Sequence, residues 1–255
     1  MKKNLRYYID LILVLTQKEI KVKYKNSLLG YLWSVLNPLS MALVFYFAFK
    51  FVLKVPIENF TLYLVVGLFA WQWFANSVSS SAAILIGNAS LIKKVNFPRY
   101  FIPLSNVLND AFHFTVSLPI IFGFIYYYNI GISIDWFYGI PLIMISQFLI
   151  VYGFSLLISS INLFFRDLER LIAIFINILF YLTPIVYNLE LIPKEYRGYM
   201  LLNPMFGIIE GWHRLFMKGI FDWQLFSVSF FEGIVIFFIG FFIFKRLEPK
   251  FAEVL

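Results

Sequence analysis

Asn106, Asp110, His113 and Ser117 fall in one otherwise apolar stretch at spacings i, i+4, i+7 and i+11. On a helix that spacing makes a single stripe. Polar groups are costly inside a bilayer, so such a stripe faces protein or water. An Asp–His pair there could relay protons or line a polar pathway. It could equally be a hydrogen-bonded seam between packed helices, which is the better supported reading because no second buried acid accompanies it. Glu232, about ten residues into another apolar run, is open to the same two readings. Trp71-Gln72-Trp73 is unusual for a different reason. Trp normally gathers where an apolar run meets the lipid–water boundary, as Trp33 and Trp136 do, whereas this pair lies in mid-run. Flat aromatic faces with few charges suit sugar rings better than ions. Tyr31, Trp33, Trp71 and Trp73 are therefore candidates to line a pathway, with plain helix packing as the alternative.

Other chemistry is missing from the pattern. There is no G-x-x-x-x-G-K-[ST] to cradle a nucleotide phosphate, no H-E-x-x-H, and no cysteine for thiolate or metal chemistry. His113 and His213 are far apart and lack a nucleophile motif. Asp167 and Glu169 could be read as a carboxylate pair for a metal. Arg166-Asp167-Leu168-Glu169-Arg170 is better read as a charge-balanced turn. The expectation is a chain with no catalytic residues, no metal and no cofactor of its own.

The elements that position these residues follow from composition. Of 255 residues, 61% are hydrophobic and 14% charged, and mean hydropathy is +0.81. A soluble domain carries roughly 25% charged residues and needs a polar exterior. Apolar runs long enough to cross a bilayer occur at 31–53, 61–87, 101–128, 136–164, 171–188 and 223–244. Lipid offers no partner for backbone groups, so these runs must be helices, and alternating barrel strands are not seen. The net charge of +7 is not a nucleic-acid footprint, because the basic residues sit between apolar runs rather than on one face. With six spans, the N-terminal segment, the loops after spans two and four, and the tail share one side and most of the Lys and Arg. That side is expected to be cytoplasmic, with both termini inside.

Residues 4–30 are too polar to span, yet Leu5, Tyr8, Ile9, Ile12, Leu13, Thr16, Ile20 and Tyr24 recur at helical spacing. This predicts an amphipathic helix in the cytoplasmic interface. Residues 1–6 are basic and 7–15 apolar, but no small-residue cleavage site follows, so the segment is expected in the mature chain. Residues 189–222 form the longest segment on the outer side. Pro193 and Pro204 punctuate it, and Ile208, Trp212, Leu215 and Phe216 share one helical face. This predicts two short re-entrant helices in the outer leaflet, with Glu210 and Arg214 paired. The fold class is thus an all-α integral membrane protein, one domain over 1–255, with six transmembrane helices, an N-terminal amphipathic interface helix and short re-entrant outer helices between spans five and six.

Specific strings add to this. Residues 22–38 (Val22-Lys23-Tyr24-Lys25-Asn26-Ser27-Leu28-Leu29-Gly30-Tyr31-Leu32-Trp33-Ser34-Val35-Leu36-Asn37-Pro38) resemble the entry to the first span in ABC-2 permeases of polysaccharide exporters. Asn96-Phe97-Pro98-Arg99 with Pro103-Leu104, then Phe165-Arg166-Asp167-Leu168, Thr183-Pro184-Ile185-Val186-Tyr187 and Leu202-Asn203-Pro204, are similar to later landmarks of that family in order and spacing. The O-antigen branch is nearest in feel, with capsule and teichoic-acid permeases close by. The resemblance implies a homodimer with two soluble ATP-binding cassette subunits, which hold the ATP and Mg. It implies an inner-membrane location, a lipid-linked polysaccharide substrate moved outward, and no role for nucleic acid. It implies a coupling helix that meets the ATPase through Leu91, Lys93, Lys94, Asn96, Phe97, Pro98 and Arg99. It also implies an outer gate, in which Trp212 and Arg214 are the candidates. An ion-coupled transporter using Asp110, His113 and Glu232 is the competing class, and a transferase acting on lipid-linked sugars a third.

Overall fold

The computed structural model describes residues 5–23 and 30–255, with the side chains of Lys23 and Tyr31 left out. Ten α-helices and no strand occur among the described residues. They are α1 (Leu5–Lys23), α2 (Trp33–Phe45), α3 (Phe60–Gly87), α4 (Ala89–Lys94), α5 (Phe101–Tyr127), α6 (Asp135–Asn162), α7 (Leu168–Tyr181), α8 (Pro204–Lys218), α9 (Trp223–Leu247) and α10 (Phe251–Val254). α2 runs on into a π-helical stretch, Tyr46–Val52.

Among the described residues, four helical stretches are long and apolar enough to cross a bilayer: Trp33–Val52, Phe101–Tyr127, Asp135–Asn162 and Trp223–Val254. The other two expected spans differ for physical reasons. α3 has 28 residues, about 42 Å at 1.5 Å per residue. Its length is ample, but Gln72, Asn76 and four serines (Ser77, Ser79, Ser80, Ser81) dilute its apolar character. α7 has only 14 residues, about 21 Å against a hydrocarbon core of about 30 Å. Thr183-Pro184 ends it, since the residue before a proline is steered out of the helical region.

α3 is the central element. It packs against α2, α5, α6, α7 and α8, and Leu62, Leu64, Ala70, Phe74, Val78 and Leu85 along it are essentially inaccessible. Of its polar residues, Ser77 and Ser81 are buried against protein, whereas Gln72 and Asn76 are half-buried and Ser79 and Ser80 exposed, on the side that borders a cavity. The most intimate pairing is α6 with α9. Gly153 and Gly240 let the two backbones touch. A Cβ on Gly153 would lie 2.7 Å from both the Ile236 carbonyl carbon and the Phe237 nitrogen, and one on Gly240 would run into the Gly153 carbonyl. Small residues at such a contact are how apolar helices associate when lipid is no worse a solvent than leucine.

α1 divides its apolar stripe between two neighbours. Leu15 is buried, Tyr8 lies 5.8 Å from Phe101 on α5, and Lys18 hydrogen-bonds the Asn88 side chain at the start of α4. Leu5, Ile9 and Leu13 point outward, 76%, 49% and 54% exposed. One edge of this helix is therefore packed on protein and the other carries exposed apolar residues. Tyr24 falls outside the described residues.

The segment between α7 and α9 holds one helix of 15 residues, α8, preceded by two short 3₁₀ turns at Leu189–Leu191 and Arg197–Leu202. Two short helices are expected here; the region before Pro204 makes one 3₁₀ turn, then Pro193, then a six-residue 3₁₀ stretch of two turns. Asn203 starts α8, its Oδ1 accepting from the Met205 N–H at 3.0 Å with Pro204 in the first turn. Gly219, at φ +66°, ends it in the left-handed conformation.

Candidate functional site

α2 lies over α3 with a cavity on either side. The first, about 370 Å³, is lined by Trp33, Ser34 and Asn37 of α2, by Phe69, Gln72, Trp73, Asn76, Ser79 and Ser80 of α3, and by Asp110, His113 and Phe114 of α5. The second, about 450 Å³, has Asn37, Pro38, Met41 and Phe45 of α2, Leu68, Trp71, Gln72 and Ala75 of α3, and Asn177, Phe180 and Tyr181 of α7. Trp71 and Trp73, two residues apart, point about 200° apart on a helix and so belong to different cavities. Gln72 borders both.

The first cavity joins Trp33 to Trp73, as the sequence reading grouped them, and separates Trp71 from both. Trp73 stacks on Phe114 with ring centres 5.5 Å apart, and Phe114 in turn lies 5.1 Å from Trp212. Trp71 meets Phe180 edge-on at 5.6 Å. The Trp73 Nε1–H is buried without a protein acceptor among the described residues. The Tyr31 side chain lies outside the described residues.

The polar stripe of α5 is buried along its whole length: Asn106, Asp110, His113 and Ser117 are 7%, 3%, 8% and 1% exposed. It forms the hydrogen-bonded seam with α3. The Ser77 hydroxyl donates to Asp110 Oδ2 at 2.8 Å, Asn106 donates to the Ser77 carbonyl at 3.2 Å, and the Asn106 and Ser80 side chains pair at 2.8 Å. Asp110 and His113 also border the first cavity, so the same residues hold two helices together and give the cavity a polar wall. Glu232 is half-buried on α9 and lines neither cavity. The three ionisable residues are thus not one group. The serines of α3 that receive the stripe were not singled out from sequence; their signal was a cluster of small hydroxyls in an apolar run.

On the side of α8, a second polar network fixes the segment between α7 and α9. The fully buried Gln147 of α6 donates to the Ala70 carbonyl at 2.7 Å and accepts from Trp212 Nε1–H at 2.9 Å. The Tyr63 hydroxyl is shared between the carbonyls of Pro184 and Tyr187, at 2.8 and 2.7 Å. His213 stacks on the Tyr63 ring at 3.7 Å, and its Nε2 lies 3.0 Å from the Tyr63 carbonyl. A carbonyl only accepts, so Nε2 carries the proton. Asn203 donates to the Thr183 hydroxyl at 2.8 Å, which brings together two strings far apart in sequence, Thr183-Pro184 and Leu202-Asn203-Pro204. Trp212 is wholly buried in this network. Arg214 sits at its rim, paired with Glu210 at 2.9 Å as the spacing predicts, and with Asp222 as well. Burial pulls the Arg214 guanidinium down, but its bonds to Glu210 and Asp222 outweigh that and raise it above its ordinary value.

At the opposite end of α3, the residues named for coupling fall into two sets. Lys93, Lys94 and Asn96 are exposed, with Val95 beside them. Phe97 is buried, Leu91, Pro98 and Arg99 are half-buried, and Arg99 turns toward the C-terminal end of α9. Asp167 and Glu169 stand at the start of α7, where the Glu169 N–H is received by Asn162 at 3.0 Å. Among the described residues no three His, Asp or Glu side chains gather as metal ligands would.

Comparison with known proteins agrees with the landmarks. The chain is 46% identical over 255 residues to the O-antigen export system permease protein RfbA of Klebsiella pneumoniae, covering 100% of this chain and 98% of that one. It is 32% identical over 221 residues to the protein of the same name from Myxococcus xanthus, covering 85% and 84%. It is 23% identical over 214 residues to the polysialic acid transport protein KpsM of Escherichia coli, covering 79% of each. Residues 10–217 match the ABC-2 type transporter family, and the chain belongs to that family.

Proposed function

We propose that this chain is the membrane-embedded permease subunit of an ATP-driven exporter that moves a lipid-linked polysaccharide of the O-antigen type out across the inner membrane. The observation that carries the reading is the 46% identity, end to end, to an O-antigen export permease. The working unit is two copies of this chain with two separate ATP-binding cassette subunits, which supply the ATP site and its Mg. The chain itself does no covalent chemistry. It crosses the membrane six times with both termini in the cytoplasm: α3 spans with its polar face on the cavity and on α5, and α7 with the turns after it makes a short fifth crossing. α4 with Lys93 and Lys94 docks on the ATPase, α1 lies in the cytoplasmic interface beside it, and the Leu189–Lys218 region with Trp212 and Arg214 forms the outer gate.

The cavity between α2, α3 and α5 suits such a substrate. Two indoles and two phenyl rings offer flat apolar faces, and Asn37, Gln72, Asn76, Ser79 and Ser80 offer neutral donors and acceptors for hydroxyls. Neutral amides and hydroxyls bind a sliding polymer without holding any one unit tightly. ATP binding and hydrolysis shift the populations of inward- and outward-facing states.

The test is co-purification. The tagged chain is expressed with the ATPase subunit encoded with it, and ATP hydrolysis is measured with and without Lys93→Glu and Lys94→Glu. A stable complex whose hydrolysis depends on those lysines is expected. Absence of an ATPase partner, with proton flux that follows Asp110 instead, would install the ion-coupled transporter in its place.

A further inference from the structure

The ends of α5 and α9 nearest α4 close on each other. α5 begins at Phe101 with no acidic residue in its first turn and no side-chain cap from its own N-cap, Tyr100. A helix start carries unpaired N–H groups and partial positive charge. The Glu248 carboxylate, from the far end of the chain, accepts from the Arg99 backbone N–H at 3.2 Å. In the reverse sense, the Arg99 guanidinium donates to the Glu248 carbonyl at 2.6 Å, where α9 ends and partial negative charge collects. Each side chain thus bonds the other residue's backbone, two residues before α5 begins and where α9 ends. Lys245 holds the Glu248 carboxylate at 2.8 Å and lies 4.6 Å from the centre of the Tyr100 ring. Beyond the clasp the chain turns into α10, which lies against α4 and buries Phe251 completely, 5.1 Å from Phe244 and 6.4 Å from Phe164 at the end of α6.

We propose that this reciprocal clasp is a strut: it makes the coupling segment move with α9, and Glu248 is the positioning residue that transmits motion from the ATPase to the permease. The proposal rests on α4 being the docking element. α4 has six residues and is joined to α5 by a non-helical link, 95–100. Such a link bends under load. α10 bypasses it, because α10 continues from α9 and lies against α4; a push on α4 passes through α10 into α9, which the clasp ties to Arg99 at the far end of the link, and from α9 into α6 across the glycine contact at Gly153 and Gly240. Neither neighbour on the clasp reaches the cavities, so its effect on transport is indirect.

The chain has no cysteine, so a thiol pair can be placed at the clasp alone. The permease–ATPase complex is purified, and ATP hydrolysis and polymer export are measured together. Glu248→Ala is expected to leave the complex assembled and hydrolysis within about twofold of the parent, while polymer exported per ATP falls at least fivefold. The double variant Arg99→Cys with Glu248→Cys is expected to show the same loss when reduced, and to recover when the pair is bridged by a short bis-thiol reagent. A purely structural role gives a different pattern, lower assembly and lower hydrolysis with the ratio unchanged. Unchanged export in Glu248→Ala, that structural pattern, or arrest of export on bridging each overturns the strut. If Glu248→Ala does not fold, Glu248→Leu, which likewise removes the side-chain acceptor at nearer the native size, replaces it with the same ratio as readout. Failure of the underlying reading looks different: hydrolysis indifferent to Lys93→Glu and Lys94→Glu removes the docking element, and the strut with it.

Discussion

Gly153→Ala isolates the contact between α6 and α9. The added methyl would sit 2.7 Å from two backbone atoms of α9 and 2.8 Å from a third, the Ile236 carbonyl oxygen. Ordinary carbon contacts are about 3.5–4.0 Å, so α9 must retreat by roughly 1 Å. No side-chain rotation relieves the clash, because the opposing atoms are backbone. Overpacking of this kind costs about 1–3 kcal/mol. The substitution also gains about 0.8–1 kcal/mol of helix propensity, so the net loss is up to about 2 kcal/mol. In a chain of this size that is a drop of up to about 8 °C in apparent melting temperature. The control is Gly123→Ala on α5, where nothing lies within 4 Å of the new Cβ. The same propensity gain acts there without a clash, so its melting temperature should stay level or rise. Melting of the purified permease in detergent, followed by size-exclusion of the soluble fraction, reads both. If Gly153→Ala melts at or above the parent and level with Gly123→Ala, the two backbones are not in contact and the argument for a fused α6–α9 body fails.

Other outcomes follow from the site. Trp73→Ala should lower polymer export in intact cells more than Trp71→Ala at equal protein level, because only Trp73 shares a cavity with Trp33; equal effects would reunite the two residues. Gln147→Leu strands the buried Trp212 Nε1–H and should destabilise the chain by about 1–3 kcal/mol, read as a lower melting temperature; an unchanged melt would mean the indole has another acceptor. Asp110→Asn keeps an acceptor for the Ser77 hydroxyl and should retain both expression and export, whereas Asp110→Leu should lower expression; loss of export in Asp110→Asn with normal folding would point to a charge role in transport.

Much of this was legible in the residues. The α5 stripe announced a buried seam because Asn106, Asp110, His113 and Ser117 share one helical face. Glu210 and Arg214 announced their pair by spacing. Periodicity could not tell which helix the seam faces, so the α3 serines stayed unmarked, and nothing local showed that α3 is the hub, since that rests on contacts with five other helices. Grouping Trp71 with Trp73 treated adjacency as proximity; on a helix two residues apart means nearly opposite sides. The clasp of Arg99 and Glu248 joins positions 149 apart, and no local pattern carries a contact of that reach.

The sparse burial of the first span has a consequence for assembly. Only 11% of its most apolar stretch is buried within one copy, against 61% for α6. Leu36, Met41, Leu43, Val44 and Phe47 along it are exposed, and a cavity lies along each flank. A single copy therefore leaves the apolar face of this span to be covered by lipid or by another protein surface, and whatever covers it also forms the missing wall of the cavities beside it.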